Sequence, residues 1–180
     1  KEQKASALKS SQATKEQYVN ELSDSEKELN SELEKLKAAN DAITRELKAM
    51  ETKYSDKIAD LGGTGTLQRP VKSGVITATM YYSSGRYHGA LDYGVPVGTE
   101  VYAAAEGVVL AAGWSNGGLG NYVCIQHSGG MRTLYGHGNG TFYVKPGDVV
   151  KKGQLIMLSG NTGNSSGPHL HFEVRVSPYN

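Results

Sequence analysis

Two periodicities divide the chain. Leu8, Leu22, Leu29, Leu36, Ile43 and Met50 fall on one seven-residue series. Ala5, Val19, Leu33, Leu47, Tyr54 and Leu61 fall on a second, offset by three and four. These are the d and a positions of one heptad register. Gln12, Lys15 and Glu26 interrupt its early part, and Asn40 takes an a position, a residue type that fixes register at some cost in stability. Residues 1–61 contain neither Gly nor Pro, so the pattern predicts one helix, about 90 Å long at 1.5 Å per residue. Gly62 and Gly63 are placed to cap and stop it. So narrow a seam needs a partner, so the segment is expected to be a coiled coil that self-associates or binds another helix. A plain spacer arm is the alternative, and no turn in 1–61 invites a fold-back.

Beyond the linker GGTGTLQ (62–68) the period becomes two. From Pro168, Leu170, Phe172, Val174 and Val176 point one way, while His169, His171, Glu173 and Arg175 point the other. Short β-branched runs such as GVITATMYY, NYVCIQHSGG and KKGQLIMLSG alternate with Gly-rich turns. Residues 69–180 are therefore expected to form an all-β sandwich or barrel, large enough to bury a core.

Composition sharpens this division. All 23 glycines, 5 prolines and 5 histidines lie at or after Gly62. The first 61 residues hold 11 Lys/Arg against 13 Asp/Glu, and the remainder 8 against 5. An excess of three positive charges over the β domain makes no phosphate-tracking stripe, so nucleic acid is not an expected partner. The single cysteine, Cys124, excludes an internal disulfide and a cysteine zinc site, and its apolar run makes it a small core side chain. No apolar run is long enough to span a membrane. The start at Lys1 rather than Met fits removal of a secretion signal.

The candidate chemistry lies in the β domain. His88 and Asp92 are four apart in HGALD, and His169 and His171 are two apart in HLH, spacings that share a face on a strand. Zinc takes four nitrogen or oxygen ligands, and a catalytic site keeps one for water. Three side chains from two strands, with a spare histidine nearby, meet that requirement, although each pair alone is a weak signal.

HGALDYGVPVGTEVYAAAEGVV, GNYVCIQHSGGMRTLYGH and VKKGQLIMLSGNTGNSSGPHLHFEVR resemble the lysostaphin/LytM-type zinc peptidases of bacterial cell walls, over nearly the whole β domain. The resemblance implies that His88, Asp92 and His171 hold zinc and that His137 and His169 are the catalytic histidines. It implies cleavage of a peptidoglycan stem-peptide cross-link or cross-bridge, outside the cytoplasm. The alternative is a non-catalytic relative that activates other cell-wall hydrolases through its coiled coil. A barrel-sandwich carrier domain is disfavoured, because no lysine sits at a hairpin tip of the required kind. The complete set of five residues favours the enzyme. MYYSSGRYHG and YGHG depart from the patterns usual in the family, which bears on the bond cleaved rather than on the metal.

Zinc is expected to act as a Lewis acid, with His137 and His169 transferring protons near neutral pH. His127, before a turn, reads as a hydrogen-bonded structural histidine. Glu173 reads as an ion-pair or groove-rim residue, or as a partner behind a ligand. Among the tyrosines, Tyr87 and Tyr135 are the best placed to face substrate.

Overall fold

A computed structural model describes residues 2–62 and 65–177, with the side chains of 2–11 and 13 excepted. The side chains of Ala5 and Leu8, the stop residue Gly63 and the last three residues of the predicted β domain lie outside the described residues. The chain forms two compact units, residues 1–39 and 40–180.

Helix α1 spans Glu2–Lys53. In the first unit its described heptad residues Val19, Leu22, Leu29, Leu33 and Leu36 are exposed. Lys27–Asp24 and Lys37–Glu34 ion pairs lie along it at 3.0 and 2.8 Å. Such exposed i,i+3 pairs add only a few tenths of a kcal/mol.

The second unit contains the last turns of α1, a short helix α2 (Ser55–Ala59) and nine strands: β1 (Val75–Ala78), β2 (Leu91–Gly94), β3 (Glu100–Tyr102), β4 (Gly107–Ser115), β5 (Gly120–Gln126), β6 (Met131–Phe142), β7 (Val149–Val150), β8 (Leu155–Ser159) and β9 (His169–Val176). All pairings are antiparallel, in the order β1-β2-β9-β6-β5-β4-β7, with β8 joining β3 to β6. The predicted β-rich domain after a long helix is the observed architecture.

Neighbouring residues on the central strands serve two cores. Val109, Val123, Ile125 and Tyr135 join Val101, Ile156, Met157 and Leu170 in the main core. Leu110, Cys124 and Leu134, one position along, point to the opposite face and pack with Tyr122 and Leu47 of α1, flanked by Ile43, Met50 and Tyr54. Strands buried on both faces read as unbroken apolar runs, as VVLAA and YVCI do. Arg132 pairs with Glu51 beside this contact. The seam residues Ile43, Leu47, Met50 and Tyr54 therefore pack against the sheet, where the heptad had suggested a second helix.

This docking also moves the helix end. α1 stops at Lys53, Tyr54 adopts φ −109°, ψ 19°, and α2 closes on Asp60 in right-handed helical geometry. The expected cap at Gly62 is not where either helix ends. Tyr54 lies against Gly147, where an added Cβ would meet its ring, and Lys57 Nζ donates to the Gly147 carbonyl at 2.7 Å. Tertiary contact with the turn before β7 breaks the helix.

Candidate functional site

His171 sits in the middle of the sheet. On β9 it faces Asp92 of β2 on one side and Gly136 of β6 on the other. Gly136 presents no side chain there; a Cβ would press on Leu119 and contact His171. The strand period that puts His169 and His171 on one face is the one the sequence predicts.

His88 arrives differently. It precedes β2 in a loop, and Gly89 turns the chain back at φ +75°. A left-handed residue that only glycine adopts cheaply, not a shared strand face, brings His88 to Asp92. The expectation of same-face geometry within one strand is corrected to that extent.

These three side chains converge. His171 Nδ1 lies 3.0 Å from Asp92 Oδ1 and 3.2 Å from His88 Nε2. His88 Nε2 lies 3.3 Å from Asp92 Oδ2. The outer nitrogens are committed elsewhere. His88 Nδ1–H donates to the Thr79 carbonyl at 2.9 Å, and His171 Nε2–H to Glu173 Oε1 at 2.9 Å. In neutral rings the inner nitrogens then carry lone pairs, and two acceptors face each other beside a carboxylate. Such an arrangement needs a cation. Donors around one tetrahedral ion with bonds of about 2.0–2.1 Å stand about 3.3–3.4 Å apart, close to the spacing here. The residues fit a metal.

A proton is one such cation, and the site attracts it. Burial opposes a charged His171, but the hydrogen bonds and charges of Asp92 and Glu173 outweigh it and push its pKa up to about 9. Burial likewise opposes charge on Asp92 and Glu173. Asp92 is nonetheless held below the usual carboxylate range by its three histidine neighbours, and Glu173 by His171 and Arg175.

Two further histidines line the same cleft of about 450 Å³. His137 Nδ1–H donates to the Thr162 carbonyl at 2.7 Å, and His169 Nδ1–H to the Gly167 carbonyl at 2.8 Å. Both carbonyls belong to the GNTGNSSG loop, which fixes one tautomer of each ring. The ring centres are 4.6 Å apart, and His169 Nε2 lies 3.7 Å from Asp92 Oδ1. His137 has φ +62°, a conformation costing of order 1 kcal/mol or more for a residue with a Cβ. Its N–H bond to the Leu119 carbonyl, 2.8 Å, helps to hold it there. Burial pushes its pKa down to about 4, so the ring is neutral at pH 7.

The five predicted residues thus share one cleft, and two triads, His88–Asp92–His171 and His137–His169–His171, have ligand atoms close enough for an ion. His127 lies elsewhere. It is buried between the Glu106 carbonyl (2.6 Å) and Thr133 Oγ1 (2.7 Å), the structural placement expected of it. Tyr87 lines the cleft, but Tyr135 does not. Tyr135 is fully buried, its hydroxyl taking a bond from the Ala104 N–H, which corrects the substrate-facing expectation. Cys124, also fully buried, has its thiol pushed up to about 12 and offers no nucleophile. The sequence did not disclose the orienting groups Thr79, Thr162 and Gly167, because they act through backbone oxygens; the glycines around 160–167 were the only signal of a tight loop.

Part of this chain is similar to known proteins. A protein of Haemophilus influenzae named an uncharacterized metalloprotease is 45% identical over 92 residues, 51% of this chain and 19% of its own length. The peptidoglycan DD-endopeptidase ShyA of Vibrio cholerae is 45% identical over 95 residues, 52% of this chain and 22% of its own. The chain therefore spans about a fifth of these curated relatives. The solved catalytic domain of the antimicrobial peptidase lysostaphin from Staphylococcus simulans superposes with a TM-score of 0.50 at 38% identity, covering 60% of this chain and 80% of that one. No described helix is long and apolar enough to cross a membrane. Residues 86–180 match Peptidase family M23, and the chain belongs to that family.

Proposed function

We propose that this chain is a zinc-dependent endopeptidase of bacterial peptidoglycan, acting outside the cytoplasm. The observation that carries the reading is the convergence of His88 Nε2, His171 Nδ1 and the Asp92 carboxylate as three acceptors with their outer nitrogens already bonded. These three would hold the ion, which supplies Lewis acidity toward water and the scissile carbonyl. His137 and His169 keep their Nδ1 protons on the loop carbonyls, so each can accept and return a proton at Nε2. The neutral His137 ring is the ready acceptor at pH 7. Glu173, clamped by Arg175 at 2.6 Å, keeps the Nε2 proton on His171 and so leaves Nδ1 free for the metal. The exposed leucines at 22, 29, 33 and 36 support pairing of that stretch with a second copy or a partner helix.

Metal analysis combined with muropeptide mass spectrometry tests the reading. His171→Ala should lose most of the zinc. His137→Ala and His169→Ala should keep it and lose on the order of 10²-fold or more in turnover. Undiminished zinc in His171→Ala refutes the ligand assignment. A zinc-loaded wild type that releases no peptide from cell walls refutes the enzyme in favour of a regulator.

A further inference from the structure

Four residues lining the cleft carry formal charge: Asp92, Glu173, Arg86 and Arg175. Three are spoken for. Asp92 faces His88 and His171, and Glu173 is shared by His171 and Arg175. Arg86 has no carboxylate partner among the described residues. Its guanidinium lies over the Tyr82 ring, 4.9 Å from the centroid, and Tyr82 stacks in turn on His88 at 4.3 Å with a 35° tilt. The turn that closes this ladder is tight: Tyr82 N–H donates to the Arg86 carbonyl and Gly85 N–H to the Tyr82 carbonyl, both at 2.9 Å.

Stacking fixes the plane of a guanidinium while its edge N–H groups stay free, and that edge matches a carboxylate. The two stacking separations keep the cation within about 9 Å of the His88 ring, the reach of two to three extended residues. A peptide with its scissile bond at the His88–Asp92–His171 donors, running toward this side of the cleft, comes to Arg86 within a few residues. A metal at those donors would leave the cleft net positive, since Glu173 and Arg175 offset each other. An uncharged glycine bridge has no carboxylate to offer there, whereas a stem peptide carries free carboxyl groups.

We propose that Arg86 binds a substrate carboxylate and that the cleft selects acidic stem peptides over glycine bridges. This rests on the peptidase reading above and adds to it the class of peptide.

The test uses the zinc-loaded full chain and four synthetic peptides: a cross-linked stem peptide with free carboxyls, the same peptide with its side-chain carboxyl amidated, the same with its C-terminal carboxyl amidated, and pentaglycine. The wild type should favour the free acid over one of the two amides by about tenfold or more in kcat/KM, the usual worth of one charged hydrogen-bonded contact. Which amide loses identifies the carboxylate. Arg86→Gln should bring that ratio close to one, and Arg86→Lys should restore part of it. Equal use of all three stem peptides, an unchanged ratio in Arg86→Gln, or preference for pentaglycine overturns the proposal. If no peptide is cleaved, the peptidase reading fails. Calorimetric affinities of the same peptides for wild type and Arg86→Gln still decide the role of Arg86, by the same ratio.

Discussion

Replacing Leu47 by alanine should lower the stability of the second unit, although Leu47 lies on a helix outside the β strands. The side chain is 4% exposed and packs against Leu110, Tyr122, Cys124 and Leu134. Buried Leu→Ala changes cost about 2–5 kcal/mol. The lower part of that range applies here, because a cleft lined by Leu47, Met50, Trp114 and Tyr122 adjoins the site and lets water and neighbouring side chains relax into the space. A loss of about 2–3 kcal/mol corresponds to a melting temperature lower by roughly 4–12 °C for a unit of this size. Leu33→Ala is the control. It makes the same change at an a position of the same helix, where the side chain is 47% exposed, and alanine is the better helix former. In the unpaired chain it should therefore melt within about 2 °C of the wild type, the scale of surface effects. Calorimetry and near-UV circular dichroism on the full chain, at two protein concentrations, provide the comparison. Equal melting of Leu47→Ala and wild type would refute docking of the helix on the sheet. A concentration-dependent loss in Leu33→Ala as large as that in Leu47→Ala would assign the seam to self-association instead.

Three further outcomes follow from particular contacts. A chain beginning at residue 66 leaves Leu110, Tyr122 and Leu134 without their helical cover, so it should bind a hydrophobic dye and melt lower than one beginning at residue 40; equal melting would show that the cover is dispensable. Burial holds the His127 pKa below its ordinary value, so the unfolded chain takes up this proton first, and folding stability should fall as pH drops below about 6.5. His127→Gln should flatten that fall between pH 7.5 and 5 in urea unfolding, without abolishing it, because His137, pushed down to about 4, contributes with the same sign; an unaltered slope would refute the assignment. The Thr162 hydroxyl donates to the Gly138 carbonyl at 2.7 Å and accepts from Asn121 N–H at 3.0 Å, so Thr162→Val should cost about 1–3 kcal/mol and lower turnover per bound metal by displacing the carbonyl that holds His137. Thr162→Ser should retain both, and a fully active, equally stable Thr162→Val would sink the argument.

Local periodicity was legible where one backbone geometry suffices. The alternation from His169 to Val176 needs only the two-residue period of a strand, so it separated the apolar row from His169, His171, Glu173 and Arg175 before any fold was known. The same holds for the helix: seven-residue spacing without Gly or Pro predicts helix over residues 1–61 whatever it packs on, and α1 fills Glu2–Lys53 of that stretch. The partner was not legible, because a heptad stripe is equally apolar toward another helix and toward a sheet. The unbroken apolar runs in β4 and β5 carried a sign of a second cover, without saying which segment would supply it.

The sequence by itself determined the element types, the β-rich class and the candidate residues, since each depends on residue type at short spacing. Only the tertiary structure decided how those residues meet. His88 reaches Asp92 through the left-handed turn at Gly89, His137 is aimed by the carbonyl of Thr162 on a loop distant in sequence, and Tyr135 turns into the core. Backbone oxygens are common to every residue type, and long-range register depends on strand pairings between segments up to about 80 residues apart, as for Asp92 and His171. Neither leaves a mark in the local order of side chains.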